Sequence, residues 1–396
     1  MQWPPRSLTV LALLLAFGIL ALISVIGIVK LWPEHQHLSG PRFAAAAQPK
    51  PVGARVTGVQ EIKCPGRGQS GCVRARIQIT EGKDRGKRST LSILDAAGPA
   101  RFAVGDAIYV YKNQLPPGAR LGGSRVDQYS FSDFKRTSPL IWLAAAFALL
   151  VLVAGRVQGL RALVGLAGSL AMLVFFVVPA ILGGRPPLQV AIFGAFGVML
   201  LTIPLAHGAN VKSLAACLGT ALSLGLTLAL ADVFTGLAHL SGLTSDEAIY
   251  LHATSGVSLR GLLLAGMVIG ALGVLGDTTV TQASTVLALR RANPALHAKE
   301  LFTHATSVGR DHIAATVNTL VLAYAGAALP ILLIFNAAGT SFRSAVNSEA
   351  VAEQIVATLV GSIGLIAAVP VTTALAALLA LKIDPRELER EHLHAH

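Results

Sequence analysis

The chain has 396 residues, 53% of them hydrophobic and only 13% charged, with a mean hydropathy of +0.64 and a formal net charge of +12. This balance excludes an ordinary soluble domain and points to an integral membrane protein. The net charge is not spread as a nucleic-acid footprint: residues 33–137 hold 17 Lys or Arg against 8 Asp or Glu, and no stacking motif or nucleic-acid fold signature accompanies them.

Leu8 to Val29 is the first apolar window. It exceeds the 7–15 apolar residues of a cleaved leader, so it reads as a membrane anchor over residues 1–32, with a cleaved signal as the alternative. Residues 33–137 then change character. Period-2 apolar runs at Val52 to Ile62, Val73 to Thr80, Ser89 to Leu94 and Ala107 to Tyr111 are bounded by Gly and Pro. They predict a small all-β domain of about five strands, an OB-like barrel or a sandwich. Cys64 and Cys72 flank Pro65, Gly66, Gly68 and Gly71, a stretch flexible enough to bring two thiols together. A disulfide is the expectation; two free thiols or half of a metal site are the alternatives, with no further Cys in the segment to complete a zinc set. Cys217, inside an apolar window, reads as a packing residue.

Seven further spans are predicted near 139–155, 162–182, 188–206, 213–236, 259–280, 312–336 and 354–381, giving an α-helical polytopic protein of eight membrane helices. A disulfide implies an oxidising compartment and so an extracytoplasmic β domain. Loop charges agree. With the N-terminus inside, Arg156, Arg161, Lys212, Arg290, Arg291, Lys299, Arg310, Lys382, Arg386 and Arg390 fall on cytoplasmic loops, while the short outer loops hold Arg185 and Arg343, with Arg260 at the border. The bundle then occupies residues 138–382, and 383–396 form a cytoplasmic tail. The tail alternates acid and base and contains His392, His394 and His396; it reads as a solvated segment, with a weak metal site as the alternative.

Ionisable groups inside spans are costly and tend to face the bundle interior, which makes Asp277 the leading functional residue. Thr281 and Ser284 follow at i+4 and i+7 and share its helical face; Thr278 and Gln282 supply further polar atoms. An ionised carboxylate buried in apolar surroundings takes up a proton or acquires a counter-charge. The apolar stretch Gly261 to Leu289 measures roughly 43 Å as a helix, longer than one simple span needs. It either breaks at Gly270, Gly273 or Gly276, as transporter helices do around a substrate, or continues with its polar stripe packed on a neighbour. A second constellation opens the next span: Arg310, Asp311, His312 and Asn318. Arg310 and Asp311 read equally well as an interfacial pair, and His312 is placed to exchange a proton with Asp277 if the two helices pack together. Asp232 reads as an interfacial cap. No zinc-protease motif, phosphate-binding loop or nucleophile elbow is present, so an enzyme is not expected, nor a cofactor or a resident metal.

At these residues the chain resembles the YibE/F family of bacterial membrane proteins. The likeness rests on Arg260 to Leu289, on Val308 to Leu333, on Pro204-Leu205-Ala206-His207-Gly208-Ala209-Asn210, and on Val360 to Leu378. It implies the multi-pass architecture and a place in the bacterial cytoplasmic membrane. Members carry an acidic pair where this chain has Gly276 and Asp277, so only one carboxylate remains here. The order of one helix, an external domain and a bundle is also similar to the SecF half of the protein-export motor. Two functions are therefore expected: a proton- or ion-coupled transporter or export accessory built on Asp277, or a non-transporting envelope scaffold or sensor. The expected partners are the lipid bilayer, an anionic lipid or cell-wall polymer at the basic β domain, and a second copy or another membrane protein.

Overall fold

The structure is a computed structural model that describes residues 8–33, 50–62, 72–94, 102–113, 120–121, 124–125 and 127–382. Two compact units divide the chain, one of residues 44–150 and the other of residues 1–43 and 151–396.

The smaller unit is an antiparallel β sheet. Strands β1 (Val52–Ile62), β2 (Cys72–Ile79), β3 (Arg88–Leu94), β4 (Ala107–Lys112) and β7 (Tyr129–Phe134) join in the order β3-β2-β1-β4-β7, while β5 (Arg120–Leu121) and β6 (Ser124–Arg125) form a separate two-residue ladder. The first four lie within a residue or two of the alternating runs in the sequence. Alternation places Ala54, Val56, Ala75, Ile77, Ile108 and Val110 in one core, where Phe102, Phe131 and Phe134 meet with ring centroids 5.1–5.4 Å apart. Bulges at Val56/Gly58 and Tyr109/Val110 sharpen the twist, and the terminal strands β3 and β7 approach each other, so the sheet curls. Cys72 opens β2 opposite Ile62 and Leu94; Cys64 lies outside the described residues, and no disulfide occurs among the described ones.

The larger unit is helical. Its elements are α1 (Leu8–Leu31), α2 (Thr137–Met172, shared with the first unit), a π-helical turn (Leu173–Val177), α3 (Val178–Leu182), α4 (Pro187–His207), α5 (Val211–Leu237), α6 (Asp246–Ser255), α7 (Leu259–Ala292), α8 (Ala298–Ala337), α9 (Phe342–Asn347) and α10 (Glu349–Ala380). Seven helical stretches among the described residues are long and apolar enough to cross a membrane, against the eight expected. The difference lies at residues 137–182, 46 residues that run as one stretch where two spans were expected. Arg156 breaks it, with φ 46° and ψ −123°. A Cβ on Gly159 would strike the carbonyl oxygen of Val151, eight residues earlier, which a straight helix never permits; the chain folds back sharply here.

Helices α5, α7 and α10 form the centre of this unit. Gly219 faces Thr372 and Gly364 faces Thr227 so closely that a Cβ at either glycine would collide with the threonine side chain. Small residues let helix backbones approach in this way, and threonines supply bonds across the contact. The hydroxyls of Thr220 and Thr279 lie 2.7 Å apart, and Gln282, 3% exposed, donates to Thr373 Oγ1 and to the Ala305 carbonyl, each at 2.7 Å. Polar ends fix the helix starts: Asn210 Oδ1 accepts from Ser213 N–H and Ser258 Oγ from Gly261 N–H. Asp232 pairs with Arg260 at 2.9 Å.

Candidate ion site in a bundle cavity

Helix α7 runs unbroken from Leu259 to Ala292, so the glycines do not interrupt it. They serve differently. Nothing lies within 4 Å of a Cβ built on Gly273 or Gly276, and both residues form the wall of a cavity of about 720 Å³. The cavity lies between the second half of α2, the π-helical turn, α4 and α7.

Asp277, Thr281 and Ser284 all face it, as the i, i+4, i+7 spacing requires. The Asp277 side chain is 76% exposed, so its charge is not buried among apolar groups as the sequence suggested. Thr278 and Gln282 point elsewhere: Thr278 is buried and donates to the Val274 carbonyl at 3.0 Å, and Gln282 belongs to the helical centre. From α8, His312 brings Nε2 to 4.0 Å from Asp277 Oδ2, and that buried nitrogen has no hydrogen-bond partner. Asp311 and Asn318 are exposed, sit two turns apart on α8, and do not line the cavity.

Sequence spacing missed His207. It ends α4, lines the same cavity as Asp277, and its Nδ1 lies 3.3 Å from Lys212 Nζ. About seventy residues separate the two along the chain, and the only signal was the stretch from Pro204 to Asn210 that the family shares. Asp277 thus stands near one imidazole from α8 and shares a cavity with another from α4. Among the described residues no three His, Cys, Asp or Glu side chains gather in a way that would hold a metal ion.

The sequence model of the family described as YibE/F-like protein matches residues 143–382, more than half of the chain. The chain belongs to this family. The matched segment contains α4, α5, α7, α8 and α10, and so the whole cavity and its carboxylate. Its apolar helices and YibE/F membership together describe a multi-pass membrane protein. No curated protein and no solved structure matches the chain.

Proposed function

We propose that this YibE/F-family chain exchanges a proton or a cation at Asp277, as an ion-coupled transporter or an accessory of export in the bacterial cytoplasmic membrane. One observation carries the reading: the carboxylate opens on a cavity of about 720 Å³ while an imidazole nitrogen without another partner lies 4.0 Å away. An acid next to a base in an apolar wall is suited to hold a proton on either group or to release it to a passing ion. In this reading both chain ends are cytoplasmic and the β domain, stapled by Cys64 and Cys72, lies outside as a gate or docking module. No enzymatic step and no cofactor take part.

The test is proton movement. Full-length protein in liposomes carrying a trapped pH indicator should relax an imposed pH gradient, and Asp277→Asn should abolish that relaxation at equal protein content. Flux that persists in the variant, or is absent from the native protein, removes the reading.

A second reading, a scaffold whose bundle only anchors the β domain, draws on the arginines of that domain. Arg55, Arg74, Arg76 and Arg88 are exposed and alternate with core residues, so they share the outer face of β1, β2 and β3. Such a face suits an anionic lipid surface or wall polymer. Under this reading Asp277→Asn leaves the cellular phenotype unchanged.

A further inference from the structure

The cavity has a chemical bias that goes further than a proton site. Its lining is chiefly aliphatic, with Leu166, Leu170, Val198 and Leu272 among the walls, and it includes no Lys, no Arg and no Phe, Tyr or Trp. Its one formal charge is that of Asp277. Three of the four hydroxyls on its surface are biased too: Ser169 donates to the Gly165 carbonyl at 3.0 Å, Thr202 to Val198 at 2.8 Å and Ser284 to Val280 at 2.7 Å. Each spends its only proton on its own helix and turns lone pairs to the cavity. A volume of about 720 Å³ lies inside the roughly 300–1,000 Å³ of sites for drug-sized molecules, which are likewise mostly apolar with a few placed polar groups.

We propose that this cavity binds a hydrophobic organic cation, its apolar body against the aliphatic walls of α2, α4 and α7 and its positive charge at Asp277. The assignment rests on the proposed role of Asp277 as the exchange site and names what is exchanged for the proton. Cation and proton compete for one carboxylate, so loading one releases the other; no bond other than O–H is made or broken. The titratable groups facing Asp277 are His207 from α4 and His312 from α8, with Lys212 of α5 against His207. Protonating either imidazole repels a bound cation, so all three groups weaken cation binding as pH falls.

Equilibrium dialysis of tetraphenylphosphonium against the purified full-length protein tests this, with tetraphenylborate as a probe of the same shape and opposite charge. Saturable phosphonium binding that weakens at low pH, with no saturable borate binding, is the expected result. Asp277→Asn should weaken phosphonium affinity by about tenfold or more, within the scale of the attraction between two unit charges near a protein surface. Gly273→Leu, which fills open space on the wall, should abolish binding while leaving the charge in place. Equal affinity for the two probes, no binding at all, or phosphonium binding indifferent to both substitutions overturns the inference. Asp277-dependent proton flux without phosphonium binding would remove this site and leave the transport reading intact; Asp277-dependent binding without flux would do the reverse.

Discussion

His312 Nε2 lies 4.0 Å from Asp277 Oδ2, and that nitrogen is buried and finds no hydrogen bond. A polar atom in that state is costly unless its neighbour shares a proton with it, so the two side chains should behave as one unit. His312→Ala should reduce Asp277-dependent proton flux by roughly tenfold, whereas the same change in an Asp277→Asn background should do nothing further. A double-mutant cycle on phosphonium affinity, which Asp277→Asn weakens by a measurable factor, would give the coupling, expected at about 0.5–3 kcal/mol for neighbouring groups. Additive effects would separate the two residues.

Gln282 has a structural rather than an ionic part. Its amide joins α7 to Thr373 of α10 and to the Ala305 carbonyl of α8. Gln282→Leu removes both bonds between helices and should cost about 1 kcal/mol, within the range that such bonds contribute between membrane helices. The expected signature is a lower unfolding temperature in detergent with phosphonium binding retained. Gly364→Leu should be much more severe, because Thr227 occupies the space its side chain needs.

Periodicity carried the local features into view and stopped where chain separation began. The strands are legible because one face of each is core, and Asp277, Thr281 and Ser284 because three and four residues make helical neighbours. The same geometry turns Thr278 and Gln282, one and five positions from Asp277, away from the cavity. His207 was hidden because nothing in a helical repeat relates α4 to α7. The fold-back at Arg156 falls where the expected spans 139–155 and 162–182 left a loop with Arg156 and Arg161, beside Gly155; what composition did not show is that a non-glycine residue at φ 46° makes the break. The open wall at Gly273 and Gly276 looked like a helix break because glycine signals both, and only packing separates them.

The loop charges predict a topology that labelling can check. Single cysteines introduced at Gly86, in the β2–β3 turn, and at Pro294, between α7 and α8, should react oppositely with an impermeant thiol reagent in intact cells. Gly86 should label from outside and Pro294 only after the membrane is opened. The reverse pattern would invert the whole arrangement and place the β domain in the cytoplasm. In the same assay, Cys64 and Cys72 should label only after external reduction.

In the β domain, Asp84 receives Lys87, Lys112 and the hydroxyl of Tyr129, the last at 3.0 Å. These donors, Lys112 first, hold the Asp84 carboxyl well below its ordinary range. Burial, and then the hydrogen bond to Asp84, raise the Tyr129 hydroxyl to about 12. The two signs are opposite. Asp84 stabilises the fold above its unfolded value of about 4, and that contribution is lost as pH falls. Tyr129 keeps its proton more tightly folded than unfolded, so its contribution is complete below about pH 10 and is lost between about 10 and 12. Alkaline titration of tyrosinate absorbance should show a late component that shrinks by one tyrosine in Tyr129→Phe, and Asp84→Asn should move that tyrosine's share down toward 10.

The outer face of the sheet gives a last prediction. Arg55 and Arg88 both lie opposite Gln78, Arg76 opposite Gly58 and Thr90, and Arg74 opposite Gln60 and Ser92, so four guanidinium groups stand on adjacent cross-strand rows. The guanidinium of Arg76 lies over Gly58, where a side chain would press on it. Like charges this close repel one another and are tolerated on a solvated face, but they favour any surface that neutralises them together. Replacing all four with Gln in the full-length protein should weaken its salt-dependent adsorption to an anionic polymer by up to roughly a thousandfold, at about 1 kcal/mol for each cation brought to an anionic surface. The attraction should fade above about 0.5 M salt, where screening acts within a few ångströms. Replacing Lys83 and Arg85, in the β2–β3 turn, provides the control: if that pair costs as much as the four arginines, net charge governs adsorption and the arginine face has no special part in it.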